Sequence, residues 1–199
     1  ILRSVYLMRV VCLISGAGSN LQALLNWQSE GLLGEAKIVG VISNNSGAYG
    51  LERAKNANIS TSVLSHHDYP DRLQFDRKLI ELIDCYRPDL VVLAGFMRVL
   101  TSEFVSYYVN RLINVHPSLL PKHKGLHTHR RAIEAGDTTT GATVHWVTEE
   151  LDSGNIIRQV KVPIQTDDSE DSLKRRVLEA EHTLYPSVIR DLSLGRITC

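Results

Sequence analysis

Four short apolar runs, most of them rich in β-branched residues, constrain this chain more than any other feature. They are MRVVCLIS (8–15), KIVGVIS (37–43), ISTSVLS (59–65) and PDLVVLAGF (88–96). Runs this short read as buried strands. Amphipathic stretches lie between them. SNLQALLNWQSEG sets Leu21, Leu24 and Leu25 at helical spacing and stops at Gly31, and AYGLERAKNA follows the second run. PDRLQFDRKLIELIDCY opens with Pro70 and carries Phe75, Leu79, Leu82, Ile83 and Tyr86 on one stripe. Alternating strand and helix predicts βαβ units, a parallel sheet and helices on both of its faces.

After residue 110 the rhythm changes. A strand over 111–116 leads into a proline-rich loop and a helix near THRRAIEAG. GATVHWVTEE and NIIRQVKVPI, joined by LDSG, read as antiparallel strands added to the sheet. A last long helix over about 168–192 opens on DDSED, acidic residues that suit a helix N-terminus. The expected fold is α/β: one domain with a doubly wound, mostly parallel sheet, Rossmann-like in its N-terminal half, with antiparallel C-terminal strands and a long C-terminal helix. No linker-like or low-complexity stretch divides the 199 residues.

Charge decides which partners are excluded. Lys plus Arg and Asp plus Glu are 22 each, so no global field recruits nucleic acid or an anionic membrane, and an anionic ligand needs a local device. Cys12, Cys85 and Cys199 fit neither a disulfide framework nor a zinc spacing and suit a reducing cytoplasm. No apolar run has the length of a membrane span, and no signal-peptide core is expected at the N-terminus. Residues 1–7 read as an extension before the fold begins at Met8.

Three places could carry chemistry. ISGAGSNLQ joins the first strand to the first helix, where Gly16 and Gly18 admit close approach and Ser19 and Asn20 stand at the helix start. Such a terminus suits a phosphate, although a tight turn without ligand fits the local pattern equally well. Leu21 stands where a dinucleotide fingerprint wants a third glycine, and VISNN ends without an acid, which argues against a nicotinamide cofactor. In INVHPSLLP, Asn114 and His116 leave one face of a strand end that Pro117 and Pro121 stiffen. An amide and an imidazolium aimed at one point can stabilise an oxyanion, and Asp152 in the LDSG turn is the carboxylate that could keep the imidazole charged. The bland alternative is a loop-edge histidine with an ordinary hydrogen bond. Glu181 lies on the buried stripe of the last helix, either as an edge salt bridge or as a carboxylate lining a cleft. His123, His127 and His129 in KHKGLHTHR lack metal-site partners and read as a solvated, mobile loop, so no metal is expected.

ISGAGSNLQALL, LAGFMRVL, INVHPSLLP, GATVHWVTEELDSGNII and AEHTLYP, in that order, resemble the phosphoribosylglycinamide formyltransferase family over nearly the whole chain. The proline-loop motif is shared with other enzymes that handle 10-formyltetrahydrofolate. The resemblance implies formyl transfer from that folate to glycinamide ribonucleotide in purine synthesis. It implies Asn114, His116 and Asp152 as catalytic groups, with His145 in support. It further implies Gly18, Ser19 and Asn20 as the phosphate loop and Glu181 as the ribose carboxylate. Met97, Arg98, Val99 and Leu100, with Thr148, Glu149, Glu150 and Leu151, would line the folate pocket, much of it through backbone.

On this reading residues 8–110 form the phosphate-binding half and 111–199 the catalytic, folate-binding half of one formyltransferase domain. Both substrates are small molecules, 10-formyltetrahydrofolate as co-substrate, with no nucleic-acid or membrane partner. The chain is expected as a cytoplasmic monomer or weak homodimer. The amine attacks directly, with no covalent enzyme intermediate. A formyltetrahydrofolate hydrolase would use the same groups with water as nucleophile. A non-catalytic phosphoribosyl-binding module would keep the glycine loop without needing the trio.

Overall fold

The computed structural model describes residues 6–198, so the extension expected over 1–7 lies outside the described residues apart from Tyr6 and Leu7. The described residues form strands β1 Met8–Ile14, β2 Ala36–Ser43, β3 Thr61–Val63, β4 Leu90–Leu93, β5 Leu112–His116, β6 Thr139–Trp146 and β7 Ile156–Pro163. Helices α1 Ser19–Ser29, α2 Tyr49–Asn56, α3 Arg72–Asp84, α4 Ser102–Tyr107, α5 Thr128–Glu134 and α6 Glu170–Ser193 connect and cover them.

One sheet holds all seven strands in the order β3-β2-β1-β4-β5-β6-β7. The first five run parallel, and β6 and β7 are added as an antiparallel hairpin. Strand alternation splits the core. Val10, Cys12 and Ile14 of β1 face Leu21 and Leu24 of α1 together with Leu184 and Val188 of α6. Val11 and Leu13 face Phe75 and Leu79 of α3 and Phe104 of α4. Successive residues therefore bury on opposite faces, which is why these runs are apolar throughout rather than alternating.

Two details differ from expectation. The 59–65 run yields only three strand residues at the sheet edge, partly exposed, because its Thr and Ser have no second face to bury. α4 shows no helical period in the sequence, since six residues are too few for one. Its marker is Thr101, whose side chain accepts the Phe104 N–H and caps the first turn.

The topology concentrates polar groups at the carboxyl ends of the parallel strands. Chain reversal between β1 and β4 leaves a crevice there, the usual ligand position in an open α/β sheet. The fully buried Tyr185 of α6 braces this edge, its hydroxyl placed 3.0 Å from the Leu93 carbonyl and 3.1 Å from that of Ile113.

Candidate active site

β5 ends at the crevice with Asn114 and His116 on one face. The loop after His116 is fastened to the β6/β7 hairpin by Thr143, the cross-strand partner of His116. The buried Thr143 hydroxyl donates to the Ser118 carbonyl at 2.7 Å and accepts from Leu120 N–H at 3.1 Å and Gln159 Nε2 at 2.8 Å. One donor and two acceptor sites are thereby used, saturating the hydroxyl.

Asp152 reaches the histidine from the hairpin turn. Its backbone is left-handed, φ 50°, a conformation that aspartate tolerates better than most residues. Its Oδ2 accepts the Gly125 N–H at 2.8 Å and lies 3.4 Å from His116 Nδ1, with both side chains 8% exposed. His116 Nε2 is 3.0 Å from the His123 carbonyl. Both ring nitrogens thus face acceptors, an arrangement satisfied by the doubly protonated ring.

His145, opposite Asn114 in the β5/β6 ladder, fixes the amide. Its Nδ1 lies 2.9 Å from the Trp146 carbonyl, so Nδ1 carries the proton and Nε2 is left to accept from Asn114 Nδ2 at 3.3 Å. Burial lowers the His145 pKa, outweighing the nearby Asp152 carboxylate, and keeps this ring neutral. The second N–H of the Asn114 amide remains for a ligand.

The first strand–helix turn supplies the other half of the crevice. Gly18 precedes α1 with φ 69°, and a Cβ there would stand 2.7 Å from Gly50 Cα, so the glycine is required by helix α2 as well as by any ligand. No side chain caps α1. The Asn20 side chain turns inward, and Nδ2 donates to Glu181 Oε2 at 2.7 Å in a buried contact. The two subsites read separately from the sequence are therefore joined by one hydrogen bond. Burial pushes the Glu181 carboxyl up to about 7, against the opposing effect of the Asn20 bond. Among the described residues Glu181 makes no salt bridge; its bond is to an amide.

The two segments expected to line a folate pocket flank the trio. Met97, Val99 and Leu151 are exposed apolar side chains. Met97 N–H donates to Ser15 Oγ at 2.8 Å, tying this segment to the end of β1. Buried Asp76 on α3 holds its far end by accepting the Thr101 N–H and hydroxyl at 2.6 and 2.7 Å. The Arg98 guanidinium lies over the Phe75 ring at 5.8 Å, and Leu100 packs against the α3 side of the core. Across the hairpin, Thr148 Oγ1 donates to the Glu150 carbonyl, Glu149 accepts from Ser106, and Glu150 pairs with Lys124 at 3.5 Å.

In the loop KHKGLHTHR, Lys122, Leu126, His127 and Arg130 are solvent-exposed as expected, while His123 and His129 are not. His123 pairs with Asp137 at 2.7 Å while its carbonyl meets His116, and His129 is buried. The contributions of the His123 carbonyl and the Gly125 N–H come from main chain, so no residue type announces them.

The comparisons agree with this geometry. The formyl transferase family model matches residues 8–189. Phosphoribosylglycinamide formyltransferase of Escherichia coli is 50% identical over 96% of this chain and 89% of its own length. The trifunctional purine biosynthetic protein adenosine-3 of Drosophila melanogaster is 48% identical over 94% of this chain, which spans only 14% of that longer protein. A phosphoribosylglycinamide formyltransferase structure from Coxiella burnetii superposes with a TM-score of 0.93 at 46% identity, covering 98% of this chain and 90% of the other. The Brucella melitensis structure gives 0.90 at 40% identity, covering 98% and 100%. Sequence and sheet agree across almost the full length, and the chain belongs to the formyl transferase family, on its phosphoribosylglycinamide formyltransferase branch.

Proposed function

We propose that this chain transfers the formyl group of 10-formyltetrahydrofolate to the amine of glycinamide ribonucleotide, with Asn114, His116 and Asp152 as catalytic groups. The observation that carries the assignment of roles is the convergence of an amide, an imidazole and a carboxylate at the sheet edge that also bears the Gly18 turn. Residues 8–110 hold the ribonucleotide phosphate at Gly18, Ser19 and Asn20. Residues 111–199 supply the catalytic groups, with Glu181 accepting from ribose hydroxyls. The folate lies against residues 97–100 and 148–151.

The amine nitrogen attacks the formyl carbon, and the carbonyl oxygen becomes an oxyanion. The free N–H of Asn114 and the His116 imidazolium donate to it. The oxyanion competes with the neutral His123 carbonyl for the Nε2 proton and wins as the charged acceptor. Asp152 holds the positive charge on His116 and relays the proton lost by the attacking amine toward N10 of the folate, whose bond to the formyl carbon breaks. Binding both substrates in one crevice supplies the orientation. The protein acts in the cytoplasm as a monomer or weak homodimer, on small molecules only.

The test is deformylation of 10-formyltetrahydrofolate with and without glycinamide ribonucleotide. Turnover that requires the amine is expected. Consumption indifferent to the amine would assign the site to a hydrolase, and absence of any consumption would leave a binding module.

A further inference from the structure

Beside Ser19 opens a cleft of about 360 Å³ between α1, α2 and α6, whose lining includes Ser19, Gln22, Trp27, Arg53 and His182, with the Glu30 carboxylate at the C-terminal end of α1. None of the roles above uses Arg53 or His182. Arg53 reaches from α2 to the glycine turn, where Nε donates to the Ala17 carbonyl at 2.8 Å and Nη1 to Gln22 Oε1 at 2.9 Å. Its guanidinium carbon sits 4.8 Å from the centre of the Tyr49 ring. These contacts fix the guanidinium against the turn and leave the N–H donors of Nη2 for a ligand in the cleft. On the α6 wall, His182 Nε2 is buried and has no partner among the described residues. Burial lowers the His182 pKa against the opposing Glu179 carboxylate, with Arg53 a smaller lowering influence, which leaves Arg53 as the positive charge of the lining.

We propose that Arg53 is a specificity-determining residue for the phosphate of the ribonucleotide, anchoring the turn through Ala17 and placing a full positive charge beside Ser19. This rests on the reading of Gly18, Ser19 and Asn20 as the phosphate loop. A helix end offers only about half a unit charge, and a chain with formal net charge +0 adds no global attraction. A phosphate dianion therefore requires a local cation. A guanidinium held by two bonds is pre-organised for it in a way that a free lysine is not.

Calorimetric titration of the full chain with glycinamide ribonucleotide and with its dephosphorylated riboside tests this without depending on turnover. The wild type is expected to bind the nucleotide far more tightly than the riboside. R53M is expected to lose about tenfold to a hundredfold in nucleotide affinity with riboside binding unchanged, as for one lost charge-assisted bond. R53K, which keeps the charge without the fork, is expected to fall between the two. A wild type that binds both ligands equally overturns the phosphate-loop reading and this inference with it. A wild type that discriminates, with R53M and R53K discriminating equally well, overturns the inference alone. Parallel loss of nucleotide and riboside binding in both variants would reduce Arg53 to a structural role.

Discussion

His116 and Asp152 meet: Nδ1 of the histidine lies 3.4 Å from Oδ2 of the aspartate, both side chains almost fully shielded from water. They lie 36 positions apart in the chain, and two independent devices bring them together. Thr143 fastens the loop that follows His116, while a left-handed backbone at Asp152 turns the carboxylate inward from the hairpin. Shielding matters because an ion pair excluded from water is screened little by salt.

Asp152→Asn tests the charge without disturbing the turn, because asparagine also tolerates the left-handed region. The expected result is a loss of kcat of about a hundredfold or more, the range of a general acid–base contribution, with ribonucleotide affinity retained. Steady-state kinetics alongside calorimetric titration would read both. Loss of ribonucleotide binding would mean that the Asp152 contact holds the crevice together instead of serving the reaction.

His145→Leu removes the acceptor that orients the Asn114 amide. The amide is then free to rotate, and kcat is expected to fall about tenfold to a hundredfold while KM for the ribonucleotide stays within about twofold. A rise in KM with kcat intact would show that the ring supports binding rather than the amide's aim.

Glu181 makes stability depend on pH. Its carboxyl titrates near 7 in the folded chain against 4.5 for the ordinary group, so the folded state holds its proton more tightly. Stability from this group is full below about pH 4.5 and is lost as pH rises through 7. The loss approaches an amount on the order of 3 kcal/mol for a carboxylate this buried. Glu181→Gln is therefore expected to be more stable than the wild type at pH 8, with the difference vanishing near pH 4, in urea titrations at both values. The same variant is expected to bind the ribonucleotide more weakly at pH 8, where the wild-type carboxylate is ionised and accepts hydroxyls best. Equal stability of the two proteins at pH 8 would contradict the burial cost assigned to Glu181.

The apolar runs, with their period of two buried on both faces, were enough to specify a parallel sheet with helices on each side, because burial is set by residue type and local spacing. The same is true of the strand-end pair: Asn114 and His116 share a face because residues i and i+2 always do. Local pattern could not say which reading of that pair held, and the resemblance to the family supplied the roles. Tertiary structure alone decided the contacts that make the groups a site. Asn20 turns inward to Glu181 because two helices far apart in sequence pack together. The His123 carbonyl and Gly125 N–H belong to the main chain, which every residue carries alike. His129 is polar yet buried, and the loop before it is held because Asp137 pairs with His123 and Asp152 accepts the Gly125 N–H, both from outside the loop's own sequence window. Period and residue type are local properties. The distance between His116 and Asp152 is a property of the whole folded chain.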